Sequence, residues 1–157
     1  MRDRLVGRDE QLARAETALS PPSAADCAAG RPVHLVFDGA PGAGKTALLR
    51  ATARSAERRG YAVAWARAHP AERAFAFGVA RQLVESPAMA RHGLDLDDHR
   101  ASEHALGAAA ADRPLLLAVD DVHWADSESL EWLSRLVRRG QRVPVRVVVT
   151  RSPGIGG

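Results

Sequence analysis

A single cysteine, Cys27, leaves the chain without an internal disulfide and without the paired spacing of a zinc ligand set. The fold must therefore rest on hydrophobic burial, and a reducing cytoplasm is the expected compartment. Aromatic residues make up only 4% of the sequence, so that core has to be aliphatic. No apolar run approaches a membrane span and the start resembles no signal peptide, so no membrane partner is expected. Lysine is almost absent: of 22 basic residues, one, Lys45, is lysine. A coding bias toward arginine explains the scarcity but not the position of the exception. The net charge of +3 is dispersed. The pairs Arg58-Arg59 and Arg138-Arg139 fall late in predicted helices, where they complement the negative end of the helix dipole. They form no basic stripe, and direct nucleic-acid binding is not expected.

What is present is an ordinary globular composition, 46% hydrophobic and 26% charged over 157 residues, enough for one domain with a core of its own. Leu12, Ala15 and Leu19 recur at helical spacing and predict a helix over 9–19. The stretch 20–32 is rich in Ser, Pro and Ala and reads as a linker. Apolar runs at 33–38, 61–68, 113–121 and 145–150 predict four strands. Helices are predicted over 46–60, 72–86 and 126–140, the last capped by Asp126 and presenting Leu130, Leu133, Leu136 and Val137 on one face. A further helix capped by Asp97 is predicted before Arg113. Residues 152–157 read as a flexible tail. Strands alternating with helices predict an α/β domain with a mostly parallel sheet, its core running from 33 to 151.

The lone lysine sits in GAPGAGKT, 39–46, after a predicted strand and at the start of a predicted helix. That is the context a phosphate-binding loop requires. A triphosphate is wrapped by backbone N–H groups, here from Gly39, Ala40, Pro41, Gly42, Ala43, Gly44, Lys45, Thr46 and Ala47, of which proline contributes only shape. The glycines permit close approach, and the helix N-terminus adds free donors and a favourable dipole. Lys45 carries a compact ammonium able to reach between the β- and γ-phosphates, where arginine's planar fork substitutes poorly. Thr46 supplies a hydroxyl for Mg²⁺. A nucleoside triphosphate with Mg²⁺ is thus the expected ligand; that the nucleotide is ATP follows only from the resemblance given below.

A second acidic element supports this. LLLAVDD, 115–121, is an apolar strand ending in two carboxylates. Asp120 is the candidate Mg²⁺ ligand, and Asp121 the candidate for orienting or deprotonating water. Taken alone, both aspartates could equally end a strand and begin a turn. His123 could meet the γ-phosphate, hydrogen-bond Asp121, or simply occupy the turn. Trp124 reads as a packing residue. Arg151, at the end of the last strand, is a candidate γ-phosphate contact. His92, His99 and His104 lack metal-ligand spacing.

Taken together, LVGRDEQL (5–12), GAPGAGKTALLRA (39–51), ERAFAFGVARQLVE (72–85), RPLLLAVDDVHWADSESLEWLSRLVRR (113–139) and VVVTR (147–151) resemble the ATPase domain of the large ATP-binding regulators of the LuxR type, within the STAND group of AAA+-like signalling ATPases. The phosphate loop alone says only P-loop NTPase; DDVHWAD with the opening VGR segment is more specific. The resemblance implies a three-layer core of ASCE type with strand order 1-4-3-2 along this chain. It places Val6 to Arg8 near the adenine, with Arg8 as the contact, and makes slow ATP hydrolysis a signalling switch. Family members carry a fifth strand, a helical lid and a DNA-binding domain beyond the point where this sequence ends. The expectation is therefore a truncated form, or a subunit whose sheet edge and lid are completed by a partner or a second copy. The alternative readings are a nucleotide-dependent interaction module without turnover and a non-functional truncated relic.

Overall fold

A computed structural model describes residues 7–20, 34–139 and 145–154. Most of the predicted linker, Val6, Cys27, Val33, Gly140 and the end of the tail lie outside the described residues. The elements run α1 (Asp9–Ala18), β1 (His34–Asp38), α2 (Lys45–Arg58), β2 (Ala62–Arg67), α3 (Gly78–Val84), α4 (His99–Asp112), β3 (Leu115–Asp120), α5 (Ser127–Arg139) and β4 (Val145–Arg151). The four strands form one sheet in the order β1-β4-β3-β2, with every neighbouring pair parallel. The expected strand order is the observed one.

β3 is central, and all six of its residues are buried. A strand covered on both faces has no solvent side, which is why LLLAVD reads as an uninterrupted apolar run rather than an alternation. Leu115, Leu116 and Leu117 are fully buried, and each such side chain contributes about 1.5–3 kcal/mol. Alternate residues serve two cores. Leu116, Ala118 and Val148 pack against Leu49, Ala53 and Ala56 of α2, with Leu19 and Tyr61 beside them. Leu115, Leu117, Val119 and Val147 pack against α3, α4 and α5 through residues such as Leu83, Leu106, Trp132 and Leu133. The result is three layers: α1 and α2, the sheet, then α3 to α5.

The N-terminal helix is docked onto α2 by polar contacts. The Tyr61 hydroxyl donates to the Leu19 carbonyl at 2.9 Å, the Ser55 hydroxyl to Glu16 at 2.7 Å, and Arg59 to the Glu16 carbonyl at 2.6 Å. Among the described residues no helix is long and apolar enough to cross a membrane.

Three local expectations are corrected. The helix predicted over 72–86 is helical only from Gly78; before it lie a 3-10 turn at Pro70–Glu72 and Phe77 in the left-handed region. The reason is tertiary. The buried Asp126 carboxylate accepts from the N–H groups of Phe77 (2.8 Å) and Val79 (3.3 Å), as well as Ser129 (2.8 Å). One carboxylate thus caps α5, as expected, and also starts α3. Next, α4 is capped by Asp98, whose Oδ1 accepts from Arg100 and Ala101, rather than by Asp97. Finally, Leu130 lies at the rim of the α5 face and is 40% exposed, whereas Trp132 is buried.

Candidate nucleotide site

The carboxyl ends of all four strands open onto one cleft of about 560 Å³, lined by the phosphate loop, Thr46, Arg50, Arg67, Asp121, His123, Trp124 and Ser152. In an open parallel sheet, this is where ligands bind. The loop turns from β1 into α2 through Gly42 and Gly44, at φ 76° and 79°. Side-chain-bearing residues rarely adopt that conformation, so glycine is needed at both positions. Gly39 is not constrained in this way. A Cβ there would make ordinary contact, 3.6 Å from that of Ala43. Lys45 is buried, and its ammonium donates to the carbonyls of Gly39 (2.7 Å) and Ala40 (2.8 Å).

Thr46 and Asp120 are brought together across the sheet. The Thr46 hydroxyl lies 3.1 and 3.0 Å from the two Asp120 oxygens. Asp120 is only 1% exposed and accepts a second hydroxyl, that of Thr150, at 2.6 Å. Thr150 also accepts the Asp121 N–H at 2.7 Å. That bond helps hold Asp121 in the left-handed region at φ 54°, a conformation that costs energy in a residue other than glycine and persists where the surroundings over-determine it. The hydroxyl–carboxylate pair offers hard oxygen donors suited to Mg²⁺. No group of three or more His, Cys, Asp or Glu among the described residues could cage a metal. Thr46 and Asp120 are the residues here that could hold Mg²⁺.

Other candidates are distributed less simply. Arg8 donates to the carbonyl of Ala43 and so braces the outside of the loop. Arg151 pairs with Asp38 at the end of β1, in phase along its strand with Val147 and Val149, which line a groove against α5. It is not among the residues lining the cleft. The Arg151 hydrogen bond holds the Asp38 carboxyl below its ordinary range and raises Arg151 in turn. His123 accepts the Ser152 N–H at 3.3 Å and lies against Trp124, with ring centroids 5.1 Å apart. It makes no hydrogen bond to Asp121. Trp124 both packs on the core and lines the cleft.

Sequence reasoning missed Arg67, Arg50 and Thr150 as functional positions. Arg67 lies 3.5 Å from Asp121 and 3.9 Å from Asp120. Its only sequence signal is its place at the end of a strand. Arg50 stands in the second turn of α2, one arginine among many. Thr150 was overshadowed by the charged residue after it.

A parallel α/β sheet with a phosphate loop after its first strand and paired carboxylates after its third defines the class of P-loop NTPases. Within it, the chain belongs to the AAA ATPase domain family, which matches residues 4–149. Solved structures agree at the level of fold. The Aeropyrum pernix ORC2 protein, in ADPNP–ADP complexes, is 18% identical with a TM-score of 0.54, over 94% of this chain and 42% of its own. The replication initiator DnaA bound to AMPPCP and single-stranded DNA gives 18% and 0.51, over 94% and 39%. Rhizobiales Trip13 gives 18% and 0.52, over 95% and 55%. The chain thus spans between about two-fifths and just over half of the length of these proteins. Comparison with curated proteins finds no match.

Proposed function

We propose that this domain binds Mg²⁺-ATP in the cleft and hydrolyses it slowly, as the nucleotide switch of a STAND-type signalling protein resembling the LuxR-type regulators, in the cytoplasm. The observation that carries this reading is the hydrogen-bonded chain Thr46–Asp120–Thr150 beside Lys45 and the left-handed glycines. In this reading the N–H groups from Gly39 to Ala47 cradle the phosphates, and Lys45 exchanges its loop carbonyls for phosphate oxygens. Thr46 and Asp120 would hold Mg²⁺, which would supply positive charge to the phosphates. Asp121 orients the attacking water, and Arg8, bonded to the Ala43 carbonyl, contacts the adenine. The ion pair with Asp38 leaves Arg151 outside this assignment.

The complexes of ORC2 with ADPNP and ADP and of DnaA with AMPPCP support nucleotide as the ligand class. The single-stranded DNA in the DnaA complex has no counterpart in our reading, since the described cleft faces a phosphate loop and not a basic stripe. A second reading, a nucleotide-dependent interaction module without turnover, is favoured by the position of Arg67, 3.5 Å from the Asp121 carboxylate that would act on water.

Thermal unfolding with and without Mg²⁺-ATP, on wild type and Lys45→Ala, tests the binding claim. A ligand bound only to the folded state stabilises it by about 2.7 kcal/mol at a hundredfold excess over its dissociation constant. A shift in wild type that is lost in Lys45→Ala is expected. Equal responses in both proteins would refute the assignment. Phosphate release at background, with binding intact, would select the second reading.

A further inference from the structure

Arg67 and Arg50 are the charged residues lining the cleft that the phosphate-loop chemistry leaves without a task, and of the two Arg67 is the one that faces both carboxylates. It is the last residue of β2 and stands in register with Asp120 of β3. Among the described residues β2 is a sheet edge, so the outer backbone groups at its end meet no neighbouring strand there. Gln82 of α3 takes that place: the Arg67 N–H donates to Gln82 Oε1 at 3.0 Å, and Gln82 Nε2 donates to the Arg67 carbonyl at 3.1 Å. The main chain at Arg67 is therefore held at both polar atoms. Its side chain is 60% exposed and lines the cleft.

The guanidinium rests between the two carboxylates, with Nε 3.9 Å from Asp120 and Nη2 3.5 Å from Asp121. These are long, solvent-screened ion pairs, cheap to break. A phosphate offers the same fork two short, charge-assisted bonds. The metal-bound outer phosphates would arrive at Thr46 and Asp120, and Asp120 already lies within 4 Å of this guanidinium. Without a cation at this point, the Asp121 carboxylate would face the incoming phosphate directly.

We propose that Arg67 is a phosphate-reading arginine supplied by the domain itself, moving from the two aspartates to the terminal phosphate of a bound nucleoside triphosphate and so setting the preference for triphosphate over diphosphate. The inference rests on the nucleotide reading above and deepens it. Gln82 is the positioning residue that holds the strand end from which Arg67 reaches.

The test is calorimetric titration of Mg²⁺-AMPPCP and Mg²⁺-ADP into wild type, Arg67→Ala and Arg67→Lys. Replacing charge-assisted bonds to the terminal phosphate should weaken AMPPCP binding by about 10- to 100-fold. ADP binding should change by less than about threefold, and Arg67→Lys should recover part of the loss by restoring the charge without the fork. Retained ADP binding in Arg67→Ala shows that the site is still folded, so a lost triphosphate preference cannot be attributed to unfolding. Equal losses for both nucleotides, an unchanged ratio, or tighter binding of both would overturn the role of Arg67 while leaving the nucleotide reading intact. Wild type binding neither nucleotide would instead remove the reading on which the inference stands.

Discussion

Two buried side chains do the most positional work at the scale of single residues. Thr150 offers one hydroxyl to two tasks, donating to Asp120 and accepting from the Asp121 backbone. Valine has nearly the same shape but no polar atom, so Thr150→Val leaves a buried N–H and a carboxylate oxygen without that partner. A loss of about 1–3 kcal/mol is expected by urea denaturation. Asp126 is the second. Burial alone would raise its carboxyl, but bonds from Ser129, Val79 and Phe77 together outweigh burial and hold it below the ordinary carboxylate range. A depressed folded value means that the stability it contributes is present above the unfolded pKa and fades as pH falls through the folded one. Asp126→Asn should therefore destabilise by about 1–3 kcal/mol near neutral pH. The gap from wild type should close on acidification below the ordinary carboxylate range, when the wild-type carboxyl is itself protonated. Denaturation midpoints measured from pH 7 downward give the comparison; a gap that widens in acid would contradict it.

At the scale of elements, the helices whose limits depend on their own residues were legible. α2 begins at Lys45 after a left-handed Gly44, and Gly60, at φ 89°, follows its end. α3 was not legible in this way, because its first turn is satisfied by a carboxylate more than forty residues away. The docking of α1 is similarly tertiary. Leu12, Ala15 and Leu19 announce an apolar face, but not that the carbonyl of Leu19 meets the Tyr61 hydroxyl. Tyr61→Phe removes that bond inside a fully packed site and should cost about 1–3 kcal/mol. Because the bond ties one helix to the rest, faster amide exchange is expected in α1 than in β3. Uniform acceleration throughout the chain would mean that α1 is integral to the global unfolding unit.

At the scale of the whole molecule, the β1 edge is open among the described residues. Its residues alternate between half-buried and exposed, with Val36 46% exposed, beside an apolar groove of about 350 Å³ formed with Leu130, Leu133 and Val137 of α5. An apolar edge with unpaired backbone groups is a template for pairing. Pairing of a second copy along this edge predicts concentration-dependent association of the purified domain. Val36→Lys should shift it toward monomer, because a charge on an edge strand opposes pairing. Sedimentation velocity across a concentration series measures this, and association unaffected by Val36→Lys would move the contact elsewhere.

The sequence by itself determined the class of fold and the chemistry of the loop. Apolar strand runs, helical periodicity and a lysine confined between Gly44 and Thr46 are local patterns, imposed by burial on both sheet faces and by the dihedrals a phosphate loop requires. Tertiary structure alone decided which charges meet. Arg67 and Asp120 are 53 positions apart in the chain, yet they stand side by side because parallel register aligns the ends of β2 and β3. Register likewise turns Thr150 into the cluster at Asp120, while Arg151 pairs with Asp38. Neighbouring residues on a strand point to opposite faces, and which face meets the cleft is settled only when the sheet has formed.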